Sequence, residues 1–229
     1  MSRPNDCSGN AGQHHGGAVS PWAPALSAPS LIGVRAGRGV SMSVSRVRIA
    51  VEIGLTIALC AVLSFIAIWE MPQGGSVSFV MMPLFVLAIL RGPVIGLAAG
   101  GLYGVVDFML KPYFFHPVQV ALDYPIAYAA CGLAGLFAVR WAAEADSGRV
   151  MRGLWTAVLP GIAIGALGRY AAHVLSGLVF FAAFAPEGQP ALVYSAAYNS
   201  FVLVSAVGCA VLAFPVLPPL QRLYGSRTR

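Results

Sequence analysis

The sequence predicts an all-α integral membrane protein with six transmembrane helices and both termini in the cytoplasm. Hydrophobic residues make up 58% of the 229 and charged residues only 10%, against roughly 45–50% and 25% in an average soluble domain. Mean hydropathy is +0.78, which leaves too little polar surface to clothe a globule in water. The apolar residues fall into six runs, each long enough or nearly so to cross a bilayer at about 1.5 Å per residue.

Residues 1–42 read as a disordered N-terminal extension. They are rich in Gly, Ser, Pro and Ala, show no helical period and hold too little apolar surface to order themselves. The adjacent His14 and His15 supply neither the ligand count nor the geometry of a metal site. The stretch 25–34 is interrupted by Ser27, Pro29 and Ser30 and lacks a clear signal-peptide cleavage site. Met42 precedes an apolar run and is expected to be the physiological start.

The membrane domain is expected over 46–222, with spans near 48–69, 77–91, 92–110, 117–141, 154–184 and 190–221, followed by a cytoplasmic basic tail over 223–229. The second span is short and meets the third at Arg91-Gly92-Pro93, a helix-ending sequence that predicts a tight turn. The fifth is long and contains Pro160 and several glycines, which predicts a kink or tilt. No internal repeat of the kind that builds symmetric carriers is evident. Cys60, Cys131 and Cys209 lie inside apolar runs without C-x-x-C spacing and read as small core residues.

A formal charge of +6 and a pI near 9.5 would suggest nucleic acid in a soluble protein; here the placement of charge matters more than its sum, and no nucleic-acid partner is expected. With the first helix starting inside, the cytoplasmic face collects Arg35, Arg38, Arg46, Arg48, Arg91, Arg140, Arg149, Arg152, Arg222, Arg227 and Arg229. The outer face holds only Lys111. That asymmetry satisfies the positive-inside rule, and it puts loops 70–76, 111–116 and 185–190 outside.

An ionisable group within a span costs roughly 2.5–3.5 kcal/mol on insertion scales, so each needs a partner or a purpose. Five stand out: Glu52, Asp107, Asp123, Arg169 and His173. Glu52 reads as an interfacial ion pair with Arg48 four residues earlier. Arg169 could neutralise Asp107 or Asp123, or hold helix ends together. At the helical rise, Asp123, His173, Phe181, Tyr194 and Asn199 all fall within roughly 16 Å of the outer end of their helices. An acid, an imidazole, an amide, a phenol and an aromatic face at one depth make a pocket for a cationic aromatic molecule. Arg169, His173, Gly177 and Phe181 recur every four residues along one stripe, with Gly177 expected to leave room beside Phe181. Singly, each polar residue could instead be packing glue between helices.

The residues then acquire a family likeness. Ala121-Leu122-Asp123-Tyr124-Pro125, Gly168-Arg169-Tyr170-Ala171-Ala172-His173 with Gly177, Ala185-Pro186 and Gly188, and Tyr194-Ser195-Ala196-Ala197-Tyr198-Asn199 resemble the thiamine-specific substrate-binding component of energy-coupling factor (ECF) transporters. Val62-Leu63-Ser64-Phe65 and the stretch from Met71 to Ser78 fit as well, so the likeness covers about 46–222. It implies a six-helix protein of the bacterial plasma membrane that captures thiamine from outside and docks on a transmembrane scaffold subunit carrying two cytoplasmic ATPases. It places the binding positions on Asp123, His173, Phe181, Tyr194 and Asn199, with Tyr113 and Tyr124 as wall residues and Gln73 in a lid loop beside Gly74-Gly75. The family often has Glu where Asp123 stands and Trp where Phe181 stands, so the carboxylate reaches less far and the ring lacks an indole N–H.

The chain holds no motor of its own. Its only lysine, Lys111, is not preceded by glycine, so the G-x-x-x-x-G-K-[ST] phosphate loop is absent. Gly54 and Ala58 form a small-xxx-small pair on the first helix; by itself this fits internal packing or a partner helix, and the resemblance implies docking of the scaffold. No cofactor is expected. One rival reading keeps the architecture and changes the ligand to another vitamin or a thiamine precursor. A remote rival is an intramembrane hydrolase using Asp107 and Asp123, or Ser176, although neither acid lies in a G-x-G-D context and Val174 stands where G-x-S-G needs glycine.

Overall fold

A computed structural model describes residues 38–72 and 74–225, with side chains from Arg46 through Tyr224. Residues 1–37, Gln73 and the last four residues lie outside the described residues, and with them most of the expected N-terminal extension; the expected start at Met42 has no side-chain description. The chain folds as α1 (Arg38–Ser64), a hairpin of β1 (Trp69–Glu70) and β2 (Ser76–Val77), α2 (Met81–Arg91), α3 (Pro93–Leu110), α4 (Pro117–Asp146), α5 (Val150–Phe180) and α6 (Ala191–Tyr224). Five of these helices are long and apolar enough to cross a membrane, and α2 is a shorter apolar sixth. This all-helical, multi-pass architecture is the one the composition predicts.

The expected second span differs most. Its first residue, Val77, pairs in β2 against β1, and the Ser78 backbone N–H donates to Ser205 Oγ at 3.2 Å. Only 11 residues remain for α2, about 16 Å at the helical rise. Seven of them are buried, because a helix apolar on every side belongs inside a bundle. Gly92, at φ +93°, turns the chain sharply and Pro93 opens α3, where its missing N–H costs nothing.

Small residues set how closely the helices approach. Gly96, Gly100 and Gly104 form one stripe of α3. A Cβ on Gly96 would come within 2.9 Å of the Gly132 backbone, and one on Gly104 within 2.6 Å of the Pro125 backbone. Gly161 of α5 lies the same way against the Ala134 carbonyl at 2.6 Å. Without a hydrophobic force between spans in lipid, this contact is what holds them together. α4 and α5 each contain a wide π turn, over Leu122–Ile126 and Leu154–Val158. Pro125 lies within the first and Pro160 just beyond the second, where a missing N–H and a bulky ring disturb the regular ladder.

The ion pair expected between Glu52 and Arg48 is replaced by another. Arg91, at the end of α2, donates to both Glu52 oxygens from Nε (2.7 Å) and Nη2 (2.5 Å), and its guanidinium lies 4.5 Å from the ring centroid of Tyr224. A forked donor meeting a planar carboxylate outcompetes the helical i−4 neighbour. The contact ties α1, α2 and the end of α6 together at the arginine-rich end, where Arg149 and Arg152 also engage Glu144.

Because the α3–α4 contact has no room for side chains, Gly132→Val should cost at least the 1–3 kcal/mol typical of overpacking. Gly101, whose Cβ would meet nothing nearer than 3.9 Å, should accept alanine. Thermal unfolding of the two variants in one detergent checks this, with a clear fall in Tm expected for the first and almost none for the second.

Candidate functional site

The ends of α1, α3 and α5 and the starts of α4 and α6 surround a cavity of about 240 Å³ at the end of the bundle opposite the arginines. Asp123, His173, Phe181, Tyr194, Asn199, Tyr113 and Tyr124 all line it. Gln73 lies outside the described residues, but its neighbours Met71, Gly74 and Gly75 line the same cavity.

At the base stands Asp123, delivered by the π turn of α4. Its Oδ2 accepts from Gln119 Nε2 (2.7 Å) and Ser176 Oγ (2.8 Å), and its Oδ1 lies 3.1 Å from His173 Nδ1. Arg169 Nε donates to His173 Nε2 at 3.3 Å. Since Nε2 is the acceptor, the proton of a neutral imidazole sits on Nδ1 and is donated to Asp123. Asn199 is 7% exposed and uses its amide nitrogen on Ser195 O (2.9 Å) and His173 O (3.4 Å); among the described residues its Oδ1 makes no hydrogen bond, which leaves that acceptor for a ligand.

The predicted stripe on α5 holds, since Arg169, His173, Gly177 and Phe181 all face the cavity. The expected role of Gly177 is corrected. A Cβ there would meet Ser195 Oγ and, at 3.2 Å, Asn199 Nδ2, so this glycine admits α6 and its amide and does not make room for Phe181. Arg169 forms no ion pair with either acid. Its guanidinium lies 4.0 Å from the ring centroid of Tyr128, whose hydroxyl donates to Asp107 Oδ2 at 2.9 Å, while Tyr103 donates to Oδ1 at 3.0 Å.

The walls are aromatic. Phe181 lies 5.9 Å from Tyr113 and 5.7 Å from Phe115 between ring centroids, and Tyr194 lies 6.0 Å from Tyr198. Tyr124 spends its hydroxyl on the loop beside it, donating to Lys111 O and accepting from Tyr113 N, both at 2.9 Å. It is a wall residue that also fixes loop 111–116. Over the top, the β1–β2 connection bends through Gly74 and Gly75 at φ +86° and +89°, a region that favours glycine. Tyr198 Oη donates to Gly74 O at 3.3 Å, and Lys111 Nζ bonds Glu70 Oε1 (3.0 Å) and Ser64 O (2.9 Å).

Several of these partners escape a reading by residue type. Gln119 precedes Asp123 by one helical turn, a spacing that signals a shared face. Ser176, weighed as a nucleophile, donates to Asp123 and makes no bond to His173, so the serine–histidine pairing of a hydrolase is not formed. The Tyr198 latch joins residues 124 apart and leaves no local signal.

Comparison with known proteins gives the family. Residues 50–224 match the family model described as thiamine transporter protein. The chain belongs to that family. It is 41% identical over 182 residues to the thiamine transporter ThiT of Bacillus subtilis, covering 75% of this chain and 93% of that one. It is 29% identical over 181 residues to ThiT of Lacticaseibacillus paracasei, covering 74% and 89%. The fold superposes on ThiT from Listeria monocytogenes with a TM-score of 0.72 at 26% identity, covering 79% of this chain and 98% of that one. The protein is thus a multi-pass membrane protein of a transporter family, and the hydrolase reading falls away.

The Tyr198–Gly74 contact predicts a local effect. Tyr198→Phe removes a hydrogen bond worth about 0.5–1.5 kcal/mol, so amide exchange at Gly74 and Gly75 should accelerate by roughly two- to tenfold by that energy. Peptide-resolved hydrogen exchange, with the core helix α2 as an unchanged internal reference, checks it.

Proposed function

We propose that this protein captures thiamine with high affinity at the outer face of the bacterial plasma membrane and delivers it inward as the substrate-binding component of an ECF transporter. The observation that carries the reading is the convergence of Asp123, His173 and Asn199 from three helices at the base of one aromatic-walled, lidded cavity. Thiamine carries a permanently cationic thiazolium and an aminopyrimidine. Asp123 accepts from the pyrimidine amino group and contributes countercharge. His173 and the open Asn199 Oδ1 orient the polar edge of that ring. Phe181, Tyr113 and Tyr194 stack on the rings and supply cation–π attraction, about 2 kcal/mol when water is excluded. The ThiT name of the relatives in two bacteria supports this ligand over another vitamin.

Orientation follows from the basic residues. The cavity lies at the end opposite Arg91, Arg149 and Arg152, so the positive-inside rule faces it outward.

Titration of the purified protein should show tight thiamine binding. A hydrogen bond to a charged group is worth about 1.5–3 kcal/mol, so Asp123→Ala and His173→Ala should each weaken binding by roughly tenfold or more. Unaltered affinity in both would refute the site.

The power for uptake comes from outside the chain, through a scaffold subunit and two ATPases docked on α1. Only 17% of the α1 window is buried, against 28–44% in the other spans. A Cβ added at Gly54 would meet nothing within 4 Å, and Gly54 and Ala58 are exposed beside Val51, Leu55, Leu59 and Val62. This open face argues against internal packing as the reason for the small pair. Gly54→Leu should abolish co-purification with the scaffold and thiamine uptake by cells, while the isolated variant binds thiamine as the parent does. A parallel loss of binding would reassign Gly54 to internal packing.

A further inference from the structure

We propose that Asp107 supplies the unbalanced negative charge of the cavity and so determines its preference for organic monocations. The inference rests on the thiamine reading and deepens it, because it adds to the countercharge of Asp123 a second acid that sets the preference for a cation.

The charges around the cavity fall into two sets. At the rim, Glu70 and Lys111 pair at 3.0 Å and cancel. Deeper lie Asp107, Asp123, Arg169 and His173, all lining the cavity. His173 accepts at Nε2 from Arg169, which identifies it as the neutral tautomer. Asp123 and Asp107 each carry one formal negative charge, and amide, imidazole or hydroxyl partners stand at both oxygens of each. Two carboxylates therefore face one guanidinium, and one negative charge is left over within the span of the membrane. Such an excess is expensive unless a cation answers it.

The geometry divides that excess unequally. Asp123 is joined to Arg169 through His173 and takes further bonds from an amide and a hydroxyl. Asp107 is 9% exposed and is held only by the neutral hydroxyls of Tyr103 and Tyr128. Arg169 forms no ion pair with it, and the guanidinium instead lies over the ring of Tyr128. A permanent cation in the cavity completes the charge of this group, whereas a neutral molecule of the same shape leaves it unanswered. Asp123 recognises hydrogen-bond donors at one end of the ligand, and Asp107 recognises charge at the other.

The test compares thiamine with an isostere whose thiazolium is replaced by a neutral thiophene, both titrated against the same preparation of the full chain, so that any inactive fraction cancels in the ratio. The parent should prefer the cation by about tenfold or more, the scale of a single buried charge interaction. In Asp107→Asn, which keeps polar contact with both tyrosines, the ratio should collapse toward unity, and Asp107→Ser should repeat that collapse if the first variant folds poorly. Asp107→Glu should keep the preference. A ratio near unity in the parent, or one unchanged in Asp107→Asn, overturns the proposal; in the second case a collapse in Asp123→Asn assigns the excess charge to Asp123. Binding of neither compound by the parent removes the thiamine reading itself, an outcome distinct from tight binding of both.

Discussion

A carboxylate inside a membrane-spanning helix must be answered by donors, and the site is built around how Asp123 is answered. Gln119 comes from one turn earlier on the same helix, and Ser176 and His173 come from α5. These bonds require α4 and α5 to lie close together and in one register. Glycines along the contact make that approach possible, and the π turn over Leu122–Ile126 aims the carboxylate. Helix packing and site chemistry are therefore one constraint.

From that anchor the polar groups continue as a chain. His173 passes the contact to Arg169, Arg169 rests on the Tyr128 ring, and Tyr128 bonds Asp107. Each group limits the freedom of the next, which preorganises the cavity. Tyr124 and Tyr198 extend the same economy to the loops, since one hydroxyl fixes loop 111–116 and the other holds the β1–β2 lid. The opposite end of the bundle is closed by the forked contact of Arg91 with Glu52, which leaves the outer face of α1 uncovered.

Much of this was legible in the sequence because membrane physics is restrictive. Apolar runs of near-spanning length admit only helices, so the five long helices and the shorter sixth followed directly. Intramembrane polar residues are rare enough that Asp123, His173 and Asn199 could be singled out by type and depth, and the four-residue stripe on α5 put Arg169, His173, Gly177 and Phe181 on one face. What escaped depended on contacts between distant segments. The α2 boundary is set by a short hairpin, Trp69–Glu70 against Ser76–Val77, whose second strand takes Val77 out of the expected span. Glu52 found Arg91, 39 residues away, because a tertiary neighbour offered better geometry than the helical Arg48. Gly177 proved to admit Ser195, which only the packing of α6 on α5 reveals.

The central claim is that this cavity holds thiamine between a donor-recognising acid and an aromatic wall. A structure of the purified protein saturated with thiamine tests it most directly. The account predicts the pyrimidine amino group within hydrogen-bond distance of Asp123, the ring edge facing His173 and Asn199, and the thiazolium toward Asp107. Thiamine bound elsewhere, or a cavity still empty at saturation, would contradict it.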